Sequence, residues 1–69
     1  MRVRNDAGKT LRIARVRLGL AQDGVAYPAG IEQSTLSKIE RLKLRPSPEL
    51  AIRIAGLVGV RPTDILEPD

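Results

Sequence analysis

The side chains of this 69-residue chain that could do chemistry are amides, hydroxyls, carboxylates and cations, because the sequence contains no cysteine and no histidine. Without a thiolate or an imidazole, most metal sites and most acid–base mechanisms at neutral pH lose their usual ligands and bases. Gly8-Lys9-Thr10 has the last residues of a phosphate-binding loop, but Val3 stands where that motif needs glycine. We therefore expect no enzyme, no cofactor and no small-molecule substrate.

Cations are concentrated in the first two-thirds of the chain. Residues 1–45 contain ten Lys and Arg against four Asp and Glu, a net charge of +6, whereas residues 46–69 contain two against four, a net charge of −2. A basic region of this kind favours a polyanionic partner. The longest uncharged apolar stretch, Ile54 to Val60, is far shorter than the roughly 20 residues that cross a bilayer. We expect a cytoplasmic protein with no membrane partner.

The spacing of apolar residues predicts five helices and no strand. Residues 1–9 show no apolar period and are interpreted as a flexible arm, with residues 67–69 as a polar tail. Helices are expected from about residue 10 to Leu18, over 22–29 and 33–42, and after the helix start Ser47-Pro48, with a last short helix within 61–66. The expected fold is an all-α, compact five-helix domain over residues 10–66. Its inward-facing residues are Leu11, Ala14, Leu18, Val25, Ala26, Ala29, Ile31, Leu36, Ile39, Leu50, Ile54, Leu57 and Val58.

The second and third helices have the spacing of a DNA-binding helix-turn-helix. When Gln22 is counted as the first position, apolar residues occupy positions 4, 8, 10, 15 and 18. Position 5 is Ala26, where two steeply crossing helices leave space for a methyl group. Position 9 is Gly30, where the turn requires a positive φ.

These features carry a resemblance to a known family. The segments LRIARVRLGLAQ, AGIEQSTLSKIER and RPSPELAIRIAGLVGV, followed by DIL, resemble the lambda-repressor/Cro (Xre) family of helix-turn-helix proteins over roughly residues 10–66. The resemblance implies a lambda-repressor-like DNA-binding domain with the helix-turn-helix at its second and third helices. It also implies that the partner is double-stranded DNA and that the protein regulates transcription.

Ten residues are candidates for a role in binding or in positioning α3, and the resemblance implies the role of six of them. Gln33, Ser34 and Lys38 take the positions that read base edges, and their chemistry is suitable: Gln33 can pair with adenine N6 and N7, and Lys38 can donate to guanine. Arg15 and Glu40 match the family's structural ion pair between the first and third helices. Phosphate contacts are implied for Gln22 and expected for Thr35, Arg41, Lys43 and Arg45.

Three residues depart from the family's pattern. Pro28 falls inside the second helix, where proline costs about 3 kcal/mol, so this helix is expected to end near Tyr27 or to kink. Glu32 replaces the small hydroxyl residue that usually caps the third helix, and it adds a negative charge near the DNA. Leu42 stands where glycine or asparagine usually follows the third helix, so that helix is expected to run on.

Two functions compete. The first is a sequence-specific regulator, a repressor that binds an inverted-repeat operator as a homodimer, because a two-fold dimer reads half-sites about 34 Å apart. Under this hypothesis, we expect a protein encoded by a prokaryote, a phage or a plasmid that associates with the nucleoid. The alternative is a protein-interaction module, an antitoxin or anti-activator on the same fold, which Glu32 and the disturbed second helix favour. Candidates for the dimer surface are Ile13, Val16, Ile52, Pro62 and Ile65.

Overall fold

The computed structural model describes residues 7–66, and it describes side chains from residue 9 to residue 65. This part of the chain contains five helices and no strand. The helices are α1 (Ala7–Arg17), α2 (Gln22–Ala29), α3 (Gln33–Glu40), α4 (Pro48–Val58) and α5 (Thr63–Leu66). The predicted all-α, five-helix architecture is confirmed. None of the helices within 7–66 is long and apolar enough to cross a bilayer.

The first helix starts earlier than the sequence pattern predicts. Its backbone is helical from Ala7, so Thr10 lies inside α1 and the last three residues of the predicted arm are helical. The other six residues of that arm, 1–6, and the predicted tail, 67–69, lie outside the described residues.

Aliphatic side chains from every helix form the core. Leu11 of α1, Val25 of α2, Leu36 of α3 and Ile54 of α4 are the largest fully buried ones, and each contributes about 1.5–3 kcal/mol by leaving water. The core also contains smaller or peripheral residues, namely Ala26, Ala29, Ile39, Ala51, Ala55, Val58 and Ile65. Through this core α1 packs against α3, α4 and α5, while α2 packs against α3 and α4.

Three predicted positions differ from the observed core. Leu18 lies beyond the last residue of α1, where the helical period no longer applies, and it is 55% exposed. Leu57 lies at the edge of α4 because the buried face of that helix centres on Ala51, Ile54 and Ala55. Ile65, a candidate for the dimer surface, is buried in the core instead.

Pro28 does not shorten α2, which continues to Ala29. Proline removes only the hydrogen bond that its own N–H would make to the carbonyl of Gly24. The end of the helix is closed by the next two residues: Gly30, at φ 81°, donates from N to the Tyr27 carbonyl at 3.0 Å, and Ile31 donates to the Ala26 carbonyl at 3.0 Å. Of the two predicted alternatives, the early end near Tyr27 is therefore wrong.

The third helix ends at Glu40 rather than continuing to Leu42. Leu42 has φ 61°, in the left-handed region, and is the one non-glycine residue with positive φ within the described part of the chain. The N–H of Lys43 donates to the Lys38 carbonyl at 2.8 Å, and the N–H of Leu42 donates to the Ile39 carbonyl at 3.0 Å. These bonds close the helix in the manner that glycine usually provides, with leucine in the strained position.

Asp64 stabilises the start of the last helix. Its carboxylate accepts from the backbone N–H of Arg61 at 3.1 Å and from the Arg61 guanidinium, also at 3.1 Å. These hydrogen bonds lower the pKa of the Asp64 carboxyl below its ordinary value of 3.8.

Candidate nucleic-acid interface

The turn between α2 and α3 sets the position of the third helix. Gly30 adopts the left-handed conformation that the sequence pattern requires, and Ile31, half-buried, packs against the core immediately after it. Glu32 then stands as the N-cap of α3 in an extended conformation. The three residues between α2 and α3 thus connect the two helices as in a helix-turn-helix.

The predicted base-reading residues lie on the solvent side of α3. Gln33 and Ser34 are exposed in its first turn, and Lys38 is exposed one turn later. Ser34 and Lys38 are four residues apart and therefore share one helical face, opposite the buried Leu36 and Ile39. All three side chains lie on the exposed side of α3.

Arg15 and Glu40 form a buried, bidentate ion pair. Nε of Arg15 donates to Oε2 of Glu40 at 2.7 Å, and Nη2 donates to Oε1 at 3.1 Å. The two residues are 9% and 8% exposed. Nη1 of Arg15 also donates to the backbone carbonyl of Leu20 at 2.7 Å. The guanidinium therefore joins α1, the segment after it, and the last residue of α3.

The polar contacts continue from this pair to the surface. Nε2 of Gln22 donates to Oε1 of Glu40 at 3.0 Å, and Nε2 of Gln33 donates to Oε1 of Gln22 at 2.8 Å. Gln22 is the first residue of α2 and Gln33 the first residue of α3. Sequence reasoning assigned the two glutamines separate contacts and missed the bond between them. The sequence does contain a signal for this bond. Each glutamine is the first residue of one of the two helices of the helix-turn-helix, and the N-termini of these helices lie next to each other.

The buried carboxylate fixes which way both amides point. An ionised carboxylate only accepts hydrogen bonds, so the NH₂ group of Gln22 must face Glu40 and its oxygen must face Gln33. Gln33 then donates one N–H to Gln22 and keeps its oxygen and its second N–H for another partner. An acceptor and a donor side by side match the N6 and N7 edge of adenine.

The predicted phosphate contacts fall into two groups. Gln22 and Thr35 are half-buried near the N-termini of α2 and α3. Arg41, Lys43 and Arg45 are exposed in the segment that connects α3 to α4. Only Arg41 of these three makes a side-chain hydrogen bond within the described residues, from Nε to the Ser37 carbonyl at 3.4 Å. The three cations form a basic edge directly after the third helix.

Glu32 places a negative charge beside the start of α3, but its side chain does not cap the helix. Its side chain makes no capping hydrogen bond, although the residue occupies the N-cap position of α3. Its exposed carboxylate stands next to Gln33. The N–H groups of Gln33 and Ser34, the first two residues of α3, lack a side-chain acceptor among the described residues, whereas the N–H of Thr35 donates to the Glu32 carbonyl at 3.0 Å.

The backbone of this chain is similar to the crystal structure of a hypothetical transcription factor, NHTF, from Neisseria, with a TM-score of 0.79 and 24% sequence identity over 97% of this chain and 77% of that one. No curated protein matches the sequence. Residues 6–67 match the family described as helix-turn-helix domain. The chain therefore belongs to the helix-turn-helix family of DNA-binding domains, as its resemblance to the lambda-repressor/Cro (Xre) proteins predicts.

Proposed function

We propose that this protein is a transcriptional regulator that reads duplex DNA with α3. The observation that carries the proposal is the chain of hydrogen bonds from Glu40 through Gln22 to Gln33. A recognition amide whose donor and acceptor are fixed before binding loses less conformational freedom when it meets a base pair. In this proposal, the hydrogen-bonded chain positions an amide for binding and recognition and performs no catalytic step.

In the proposed complex the N-terminal part of α3 lies in the major groove. Gln33 pairs with adenine, Lys38 donates to guanine O6 and N7, and Ser34 donates to or accepts from a neighbouring base edge. These contacts select the sequence. Support comes from their common exposure on the outer side of a helix whose inner side is buried.

Phosphate contacts supply most of the affinity in this proposal. Gln22 retains one amide hydrogen for a phosphate oxygen, and Thr35 lies in the first turn of α3. Arg41, Lys43 and Arg45 reach the flanking phosphates. Such contacts fix the position of the protein on the duplex and make binding salt-dependent, without selecting a sequence.

We also propose that two copies form a homodimer in the cytoplasm. This dimer represses transcription by covering an inverted-repeat operator. One recognition helix contacts only a few base pairs, and a two-fold dimer doubles the sequence that is read. Steric exclusion of the transcription machinery requires only that the site be occupied. Among the expected dimer-surface residues, Ile52 on α4 is 58% exposed, and we assign it to the contact between copies.

A second candidate function is a protein-interaction module on the same fold. The exposed, non-capping carboxylate of Glu32 favours it, because a negative charge beside Gln33 is unfavourable close to phosphates. Under this alternative, the protein is an antitoxin or anti-activator that uses its surface to bind another protein rather than DNA, and replacing Gln33 and Lys38 leaves its activity unchanged.

Selection from a pool of random duplexes at two salt concentrations tests the proposal. Recovery of an inverted repeat, with affinity that falls steeply with salt, is the expected result. The double variant Gln33→Ala/Lys38→Ala should lose the enriched sequence. Arg17→Ala is the matched control, because it also removes one positive charge but lies on α1. Absence of binding at low salt would overturn the proposal in favour of the protein partner.

A further inference from the structure

The solvent side of α1 carries an apolar centre surrounded by cations. Ile13 is 47% exposed and Val16 is 59% exposed, and the exposed Lys9, Arg12 and Arg17 border them. We propose that these five residues, the α1 outer face, form a docking site for an acidic amphipathic helix of another protein. This inference does not depend on which DNA sequence is read, or on whether DNA is bound at all.

The α1 outer face is separate from the helix-turn-helix. Arg15 points inward to Glu40 of α3, and Ile13 and Arg17, two residues before and after it, lie on the opposite side of the helix because each residue advances about 100°. Arg12, Ile13, Val16 and Arg17 line a shallow depression on this side. A partner seated there would leave α3 accessible to DNA.

The charges of the α1 outer face have no acidic partner among residues 9–65. Neither the Arg12 nor the Arg17 side chain makes a hydrogen bond or a salt bridge there, whereas Arg15 and Arg61 are each paired with a carboxylate. The sequence of α1 itself contains no acidic residue. The positive potential of this side of the helix is therefore available to an external acid.

The combination of charge and shape selects the occupant. A second copy would bring the same cations face to face, which like-charge repulsion disfavours. A bilayer needs a broad apolar face, and here the broad apolar side of α1 is buried in the core. The occupant that fits is a helix with aliphatic side chains at i and i+3 or i+4 and with Glu or Asp beside them. Its aliphatic side chains pack against Ile13 and Val16, and its carboxylates pair with the two arginines.

A synthetic acidic helix tests this inference. The probe is an 18-residue peptide, about five helical turns, with leucine at i, i+3, i+4 and i+7 and glutamate beside the leucines. The control peptide has the same composition with the leucines dispersed. Titration of the full chain, followed by backbone amide NMR, should shift the resonances of α1 with the first peptide only. Addition of duplex DNA should leave the peptide bound.

Variants separate the proposed site from adventitious binding. Arg12→Glu/Arg17→Glu and Ile13→Ser/Val16→Ser should each weaken binding by about tenfold or more, because each removes one half of the complementarity. Leu57→Ser, at an exposed leucine on α4, should have no effect. All positions are exposed, and thermal unfolding verifies that each variant folds.

Three results would overturn the inference. The first is a shift of amide resonances confined to α3, together with displacement of the peptide by duplex DNA. This result would mean that the acidic peptide binds to the surface proposed for DNA. The second is equal binding of both peptides, and the third is no binding at about 1 mM peptide, where even weak complexes form. None of these results decides the proposed reading of DNA, which the duplex selection tests separately.

Discussion

Oε1 of Gln22 accepts a hydrogen bond from Nε2 of Gln33 at 2.8 Å, and this contact joins the first residue of α2 to the first residue of α3. Because Gln22 is also bonded to the buried carboxylate of Glu40, the orientation of an exposed amide is determined from the core. Gln22 therefore links the buried ion pair to the exposed amide of Gln33.

Gln22→Ala should reduce sequence selectivity although Gln33 is still present. Without its partner, the Gln33 amide rotates freely and must be ordered on binding, so enrichment of adenine at the contacted position should fall. Affinity for random duplex should fall less, by the loss of a single phosphate contact. Selection from random duplexes measures both. Asp23→Ala, at the adjacent exposed position of α2, is the control and should retain the enriched base.

The Arg15–Glu40 pair gives a second prediction, on stability. Arg15→Ala leaves the Glu40 carboxylate buried without its countercharge and should lower the free energy of unfolding by about 3–5 kcal/mol. The double variant Arg15→Met/Glu40→Met removes both charges and should unfold at a urea concentration close to that of the parent. Equal stability of Arg15→Ala and the parent would contradict the assigned role.

Much of the fold could be predicted because local signals and apolar spacing agree. Gly30 and Gly59 close α2 and α4 as expected, and Ser47 Oγ accepts the N–H of Leu50 at 3.2 Å to begin α4. The exposure of the predicted base-reading residues on α3 could be anticipated because the buried side of this helix follows from Leu36 and Ile39.

Other features could not be predicted because they depend on tertiary packing. The sequence pattern extends the stripe of α1 to Leu18, but the chain turns before that residue can reach the core. Ile65 is buried because α5 folds back onto α1, a contact that no local period encodes. The bond between Gln22 and Gln33 likewise depends on how closely two helix N-termini approach.

Leu42 gives a third prediction, since it holds a left-handed conformation with φ 61°. A side chain costs about 1–2 kcal/mol there, and glycine avoids that cost while losing more entropy on folding. Leu42→Gly should therefore raise the free energy of unfolding by up to about 1 kcal/mol, measured by urea titration. Leu44→Gly is the matched control: Leu44 is similarly exposed but lacks positive φ, so the substitution should give no gain.

The basic edge after α3 gives the last prediction, on salt dependence. Arg41→Ala and Lys43→Ala should each reduce the slope of log affinity against log salt by about 1, because each phosphate contact releases about one counterion. The preferred sequence should not change, since these side chains lie in the segment after the recognition helix. Lys38→Ala is the informative comparison, because it should flatten base preference at one position of the selected site. Loss of sequence preference in Arg41→Ala or Lys43→Ala, or an unchanged salt slope in both, would show that this segment contacts DNA in a different way.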